Sequence, residues 1–217
     1  MLWIIETSEQ ISPEFQADLD HFKVNKAVAD KLGDQVLNSS IKQMQTPLAA
    51  PLAASEPVFV LAHSGYDTDP RNNQRAPWIG GRWLDELVSD MIAKFTPAGL
   101  SGRVLWFLVC HTGHDVANLA GRLATAGVDN VTLYMPKDFM YISTKGIPHI
   151  LPNQQNVKSA NRTVAQAGCD YYRLPSSLLT GRGWAGSSIS GQVVTPVSAK
   201  AVEDAVIELF DPDEDEA

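Results

Sequence analysis

A thiol and an imidazole each follow a short apolar run in this sequence. Residues 104–109 contain no polar side chain and lead into Cys110, while residues 57–62 lead in the same way into His63. Such runs, bounded by turn residues, are typical of strands buried on both faces of a sheet. Because ligands bind at the carboxyl ends of the strands in open α/β sheets, we expect Cys110 and His63 to face each other across a cleft.

A cysteine at a strand end becomes a useful nucleophile only beside a base or a cation, because the thiolate is the reactive form. His63 would supply that base. It precedes Cys110 by 47 positions, which leaves room for one helical crossover between the two strands. The alternative is a structural thiol and a hydrogen-bonded histidine without a catalytic role. Considered alone, each of the two residues is better explained in this way.

The surrounding elements predict a three-layer α/β/α domain with a mostly parallel sheet, flanking helices and a β-hairpin near the active edge. Two further apolar strands and three amphipathic helices have the required periodicity. The strands are Leu2 to Ile5 and Asn130 to Met135, and the helices are residues 83–95, 115–127 and 198–210. The hairpin is predicted over residues 139–151.

Three stretches have less regular patterns. Residues 15–44 have helical spacing that is interrupted at Gly33, which predicts two helices. Residues 66–77 are polar and rich in turn formers, which predicts a loop that forms a wall of the substrate cleft. Residues 176–195 are rich in glycine and serine, which predicts a long, mobile surface loop.

Composition limits the classes of function. A chain of 217 residues that is 44% hydrophobic favours one domain, here residues 1–210. The net charge of −8 argues against nucleic-acid binding and against an anionic membrane surface. Five of the seven residues in 211–217 are acidic, and we expect them to form a disordered tail.

The cellular location is read from cysteine content and from apolar runs. The two cysteines, Cys110 and Cys169, exclude a disulfide framework and suit a reducing compartment. No apolar run reaches the length that spans a membrane, and the first residues lack the features of a signal peptide. We therefore expect a cytoplasmic protein, or one secreted by a leaderless route.

The order strand–His-x-Gly, crossover helix, strand–Cys-x-x-Gly, helix, strand resembles the caspase-like (clan CD) cysteine peptidases. These include caspases, separases, gingipains and the self-processing domains of large bacterial toxins. The match covers roughly Val58 to Gly146, and its layout after Cys110 is nearest to the toxin domains. Residues 110–113 are also similar to the Cys-x-Thr-Gly of caspase-related domains that accompany repeat arrays. The chain departs from the family at Ser64, which separates His63 from the expected glycine, and residues 108–109 replace the Gln-Ala of caspases.

The resemblance implies a cysteine endopeptidase that cleaves, or self-cleaves, a polypeptide at a specific site. Cys110 would be the nucleophile and His63 the general acid or base, in a dyad without an obligatory third acidic residue. Backbone N–H groups near Gly65 and at Cys110 would hold the oxyanion, because glycine permits a close approach of the backbone. No cofactor is expected, and the expected partner is a polypeptide substrate.

Two pairs of residues are candidates for substrate binding. Asp67 and Asp69 would attract a basic side chain, as in gingipains, or would simply solvate a turn. Arg182 and Trp184 would form a loop that faces the substrate, or a flexible surface loop.

A polyphosphate site and a zinc site are also conceivable from the sequence, but both are weaker expectations than the Cys110–His63 dyad. The toxin domains bind inositol hexakisphosphate through basic residues, so the resemblance raises the possibility of a polyphosphate activator; the basic residues here are Lys137, Lys145, Lys158 and Arg162. His111 and His114, with Cys110 or Asp67, have the residue types of a zinc site. Adjacent strand residues point in opposite directions, so Cys110 and His111 are poor candidates for one metal, and no metal is expected.

Two other classes of function stay open. One is a catalytically inactive caspase-like scaffold for protein interaction, which the extra residue Ser64 permits. The other is a metal-binding α/β hydrolase or a Rossmann-like nucleotide binder. The chain has no glycine-rich phosphate loop after its first strand and no Gly-x-Ser-x-Gly elbow, which argues against the second.

Overall fold

Apolar runs become the strands of a central sheet in the computed structural model of the chain. The structure describes residues 1–6, 10–24, 29, 36–53, 56–142, 146, 148–151 and 183–210. The strands are β1 (Leu2–Glu6), β2 (Val36–Ser40), β3 (Val58–Ala62), β4 (Ser64–Asp69), β5 (Gln74–Ile79), β6 (Arg82–Trp83), β7 (Val104–Leu108), β8 (Val131–Pro136), β9 (Phe139–Ile142), β10 (Pro148–Leu151), β11 (Trp184–Ser190) and β12 (Val193–Pro196). The helices are α1 (Pro13–Val24), α2 (Leu84–Phe95), α3 (Pro97–Leu100), α4 (Val116–Thr125) and α5 (Ala199–Phe210), with 3₁₀ turns at Ile41–Gln43 and Gly113–Asp115.

Seven strands form the central sheet in the order β12–β11–β8–β7–β3–β1–β2. The four pairs from β2 to β8 are parallel, whereas β11 is antiparallel to both β8 and β12. Two small antiparallel sheets accompany it, one of β4, β5 and β6 and one of β9 and β10. The predicted α/β class, with a mostly parallel sheet and flanking helices, is confirmed.

Helices cover both faces of this sheet. Alternate residues of β3 enter two separate apolar clusters, with Val58 and Val60 in one and Phe59 and Leu61 in the other. The first cluster includes the buried sides of α2 and α4, and the second includes those of α1 and α5. None of the helices within the described ranges combines the length and apolar character that a membrane crossing requires.

Most of the regular elements lie where the sequence predicts them. The helix at Leu84–Phe95, the strand at Val131–Pro136 and the final helix at Ala199–Phe210 are confirmed, as is the N-terminal strand. Phe139–Ile142 pairs with Pro148–Leu151, so the two predicted hairpin strands are also confirmed.

The three irregular stretches were predicted wrongly in part. Val36–Ser40 is an edge strand rather than a helix, and the Trp3 indole donates a hydrogen bond to Ser39 across the β1–β2 pair. The expected loop at 66–77 is the β4–β5 hairpin, and residues 184–196 form the β11–β12 pair. Residues 176–182 of the third stretch and the acidic tail at 211–217 lie outside the described residues.

Two local devices explain why the polar stretch after His63 forms a hairpin. Asp69 is 2% exposed at the end of β4, and its carboxylate binds Arg71 in the turn at 2.7 Å. Pro77 lies opposite Tyr66 in β5, where the pair exchanges no ladder hydrogen bonds and a residue without an N–H is tolerated. Tertiary pairing and ion binding therefore override the low strand propensity of this stretch.

Candidate active site

The register of the sheet brings the two strand ends together. Each paired residue of β3 lies opposite a residue of β7 that is 47 positions later, from Val58 with Leu105 to Leu61 with Leu108. The pairing ends at Leu61–Leu108; extended by two residues, the same register would set His63 beside Cys110. Alternation along each strand directs both side chains to the face that carries α1. The expected meeting at one edge of the sheet is therefore supported by the strand pairing.

A strained turn holds Cys110 at its place. His111, the next residue, has a φ of 57°, which a residue with a Cβ adopts only at a cost. Thr112 follows with φ −100° and ψ 0°; it is fully buried, and its hydroxyl has no hydrogen-bond partner among the described residues. A Cβ at Gly113 would lie 2.7–2.8 Å from backbone atoms of Met135, Pro136 and Lys137. The glycine of the Cys-x-x-Gly motif is thus required for the turn to pack on the end of β8.

The thiol of Cys110 is a free, partly buried group. Its Sγ lies 3.6 Å from the carbonyl oxygen of Met140 in β9, to which it donates a weak hydrogen bond. The carbonyl of Cys110 accepts a hydrogen bond from the Ser64 hydroxyl, which ties the end of β7 to the start of β4.

His63 is held much more loosely. Its side chain is 56% exposed, and its Nε2 lies 3.9 Å from a carboxylate oxygen of Glu14. Its ring stacks on Phe15, with the centroids 4.6 Å apart and the planes at 27°. No hydrogen bond joins His63 to Cys110 among the described residues. The imidazole and the thiol therefore lie at the same edge of the sheet without a hydrogen bond between them among the described residues.

Electrostatics keep the thiol neutral in this conformation. Burial raises the pKa of the Cys110 thiol, and the carboxylates of Glu14, Asp18 and Asp138 raise it further. Burial, aided by Glu14, also raises the pKa of Asp18 to about 7. A negative charge on the sulfur is therefore disfavoured until a cation approaches or these carboxylates are neutralised.

The predicted oxyanion donor at Gly65 is not supported. The N–H of Gly80 binds the carbonyl of His63, and Pro77 opposite Tyr66 has no N–H, so the hydrogen-bonded pairs fall at His63 and at Gly65. Gly65 therefore directs its N–H to β5, whereas Ser64 directs its own N–H to the open edge of β4. The N–H groups of Ser64 and Cys110 are therefore the candidate donors at this edge of the sheet.

Of the four predicted substrate-binding residues, two are structural. Asp69 is buried and bound by Arg71, which lowers the pKa of its carboxyl group, so it holds the hairpin turn. Trp184 is 2% exposed and packs against Trp106 and Phe210, because β11 carries it into the core. Asp67 is exposed on β4 and stays a candidate. Arg182 lies outside the described residues.

Two pockets flank the pair along the edge of the sheet. The basic pocket, of about 620 Å³, lies beside Cys110; its lining is Gly65, Tyr66, Arg75, His111, His114, Lys137 and Asp138. The apolar pocket, of about 350 Å³, lies beside His63; its lining is Ile5, Glu6, His63, Trp78, Gly80 and Gly81. Two pockets of different chemistry therefore lie at this edge of the sheet, one lined by residues that follow Cys110 and one lined by His63.

The zinc hypothesis gains no support from the geometry. His111 has its Nδ1 3.6 Å from a carboxylate oxygen of Asp138 and its ring edge-on to Phe139. Burial lowers the pKa of the His111 imidazole, against the opposing effect of Asp138. No group of three or more histidine, cysteine, aspartate or glutamate residues within the described ranges is arranged to hold a metal ion.

Sequence reasoning missed the contribution of α1. Glu14, Phe15 and Asp18 all lie near the candidate dyad, although none belongs to a motif. A signal was present, because a chain that leaves the carboxyl end of β1 and soon enters a helix must begin that helix at the same edge of the sheet. Ser12 caps this helix, and Glu6 at the end of β1 binds the Ser12 N–H at 2.9 Å.

Comparisons with known proteins add no family assignment. No protein-family model matches the chain, and no curated protein matches it significantly.

Proposed function

We propose that this chain is a caspase-like cysteine endopeptidase in which Cys110 is the nucleophile and His63 the general acid and base. The thiolate attacks the scissile carbonyl and forms a thioester, while the imidazole protonates the leaving amine; water then hydrolyses the thioester. The observation that carries the proposal is the β3–β7 register, which runs from Val58–Leu105 to Leu61–Leu108 and, if extended by two residues, would bring His63 opposite Cys110.

The strained turn after Cys110 supports the same function. Backbone strain at His111 and a buried, unpartnered hydroxyl at Thr112 cost free energy, and such features cluster at functional sites.

The resting geometry requires that His63 move. Its ring must leave Phe15 and approach the sulfur when substrate binds, and its charge would then lower the pKa of the thiol that burial now raises. Hydrogen bonds of catalytic groups are often long in free enzymes and tighten in the complex.

The test is site-selective labelling of the purified protein with iodoacetamide and with peptidyl acyloxymethyl ketones, followed by mass spectrometry of both cysteines. We expect the ketones to modify Cys110 and not Cys169, and His63→Ala to abolish that selectivity. In a peptide-library assay, Cys110→Ala should reduce cleavage by at least about a thousandfold.

An inactive scaffold is the second candidate, and one observation favours it. The thiol has a raised pKa and the imidazole is engaged by α1, so the pair is not assembled in this conformation. Equal labelling of both cysteines, unchanged in His63→Ala, would support the scaffold and contradict the peptidase.

A polyphosphate activator remains a separate hypothesis. Lys137 lines the basic pocket, whereas Lys145, Lys158 and Arg162 lie outside the described residues. Addition of inositol hexakisphosphate should speed the labelling of Cys110 if the hypothesis holds, and Lys137→Ala should weaken the response.

A further inference from the structure

The apolar pocket beside His63 is made almost entirely from hydrocarbon and bare backbone. Ile5 forms its floor and is 1% exposed, and the half-buried indole of Trp78 forms one wall. The other wall is the turn Gly80–Gly81, where both residues have a positive φ and no side chain enters the space. The carboxylate of Glu6 at the rim accepts the N–H of Ser12, so it is already engaged.

Close packing maintains this shape. A Cβ on Gly80 would lie 2.3 Å from Cγ2 of Ile5, so only glycine allows the turn to approach the floor. A Cβ on Gly65 would lie 3.1 Å from the Trp78 ring, so the indole rests directly on the backbone of β4. The pocket is therefore built by two glycines whose replacement would displace its floor or its wall.

The order of the strands determines which part of a substrate reaches this pocket. Along the edge, β8, β7, β3 and β1 follow one another; residues after β7 and β8 contribute to the basic pocket, whereas His63 and the end of β1 contribute to the apolar pocket. The sulfur attacks the carbonyl of the acyl half, and the imidazole protonates the amine of the leaving half. The leaving half therefore extends past His63, away from the basic pocket.

We propose that the apolar pocket between β1 and His63 is a specificity subsite that binds an apolar side chain of the residue just after the scissile bond. This inference rests on the proposed peptidase function. A volume of about 350 Å³ is near the lower limit for small-molecule pockets, which fits one side chain. Burial of that side chain against Ile5 and Trp78 would hold the leaving amine beside the imidazole.

The experiment uses the purified full-length chain and quenched peptides. A proteome-derived peptide library first identifies a cleaved sequence, and two peptides are then made that differ only after the scissile bond, with leucine in one and its near-isostere asparagine in the other. We expect kcat/KM to be about tenfold or more higher for the leucine peptide. Equal values, with cleavage still dependent on Cys110, would overturn the subsite and leave the peptidase intact. No Cys110-dependent cleavage of any peptide would overturn both.

Variants locate the preference in this pocket. Trp78→Ala should reduce the leucine-to-asparagine ratio to nearly one, whereas Trp83→Ala, a tryptophan on the paired strand outside the pocket, should leave it unchanged. Gly81→Asp adds a charge at the rim, and aspartate tolerates the φ of 73° at this position. It should slow the leucine peptide and spare the asparagine peptide; an unchanged ratio in both pocket variants would overturn the assignment.

Discussion

The two strand ends that form the candidate dyad differ in how the protein holds them. Cys110 is followed by a strained, buried turn that packs on the end of β8, and its thiol is largely shielded from water. The side chain of His63 is more than half exposed, and its contacts among the described residues are a ring stack and a long ion pair. The candidate nucleophile is thus fixed by backbone packing, whereas the side chain of the candidate acid and base has fewer contacts to restrain it.

This difference has a physical reason. A nucleophile must meet one carbonyl at one angle, and a rigid turn supplies that geometry before substrate arrives. An imidazole that serves first the thiol and then the leaving amine needs some freedom. We therefore expect substitutions near Cys110 to affect mainly stability, and substitutions near His63 to affect mainly motion and rate.

The largest expected effect is at Gly113. Gly113→Ala would press a methyl group into three backbone atoms at 2.7–2.8 Å, which cannot yield as a flexible side chain does. We expect a loss of roughly 3 kcal/mol in the free energy of unfolding, measured by urea titration. Gly121→Ala is the matched control, because its Cβ meets nothing within 4 Å, and in helix α4 alanine should stabilise slightly. Similar stabilities for the two variants would show that the turn is not rigid.

The second-largest effect expected is on the pH dependence of stability, through the carboxyl group of Asp18. The pKa of Asp18 is raised to about 7 in the fold from an ordinary 3.8, so the folded state binds its proton more tightly than the unfolded chain does. Wild-type stability should therefore fall between about pH 4 and pH 7. Asp18→Asn should remove that fall and add about 1–2 kcal/mol at pH 8, after allowance for partial exposure, with no gain at pH 4.

The rate at which Cys110 is alkylated is a second property that Asp18→Asn should change. Since the Asp18 carboxylate raises the pKa of the thiol, Asp18→Asn should speed reaction with iodoacetamide at pH 8, where the carboxylate is charged. The rates should converge below pH 6. Asp20→Asn, an exposed position on the same helix, is the control. If the alkylation rates of the wild type and Asp18→Asn differed equally at every pH, the effect could not come from the charge of the Asp18 carboxylate.

A smaller effect is expected from the ring beneath His63. Phe15→Leu keeps an apolar side chain in the core and removes the stack at 4.6 Å, which should cost about 0.5–1.5 kcal/mol and free the imidazole. The NMR signals of the His63 ring should then report faster motion. The rate of acylation of Cys110 should change by a larger factor than the equilibrium constant for unfolding. Phe22→Leu, at a fully buried position of α1, should change stability alone. An unaltered His63 signal would show that Phe15 does not restrain the ring.

An effect on stability as small as that of Phe15→Leu is expected at the hydrogen bond that links the two strand ends. The Ser64 hydroxyl binds the carbonyl of Cys110, so Ser64→Ala should cost about 0.5–1.5 kcal/mol in stability. Because the N–H of Ser64 is untouched, cleavage should survive, whereas Ser64→Pro removes that N–H and should abolish it. Equal activity of the two variants would remove Ser64 as an oxyanion donor.

The local sequence pattern was enough to predict the regular strands and helices. The wrong secondary-structure predictions arose where tertiary contacts decide the structure. The apolar strands and the helix at Leu84–Phe95 need only their own periodicity to be recognised. Val36–Ser40 becomes a strand because the edge of β1 is open to it, and Trp184 enters the core because β11 pairs with β8. Those causes lie in other parts of the chain, so no local window contains them.

The amino-acid sequence by itself indicated that a cysteine and a histidine follow two buried strands, because six-residue apolar runs bounded by turn residues favour such strands. The separation of 47 positions is also the offset at which the two strands pair. Only the tertiary structure decided that α1 brings carboxylates to the thiol, that Gly65 turns its N–H to β5, and that pockets of opposite character flank the pair. Each of these depends on which face and edge an element occupies, a choice made by packing across the whole sheet.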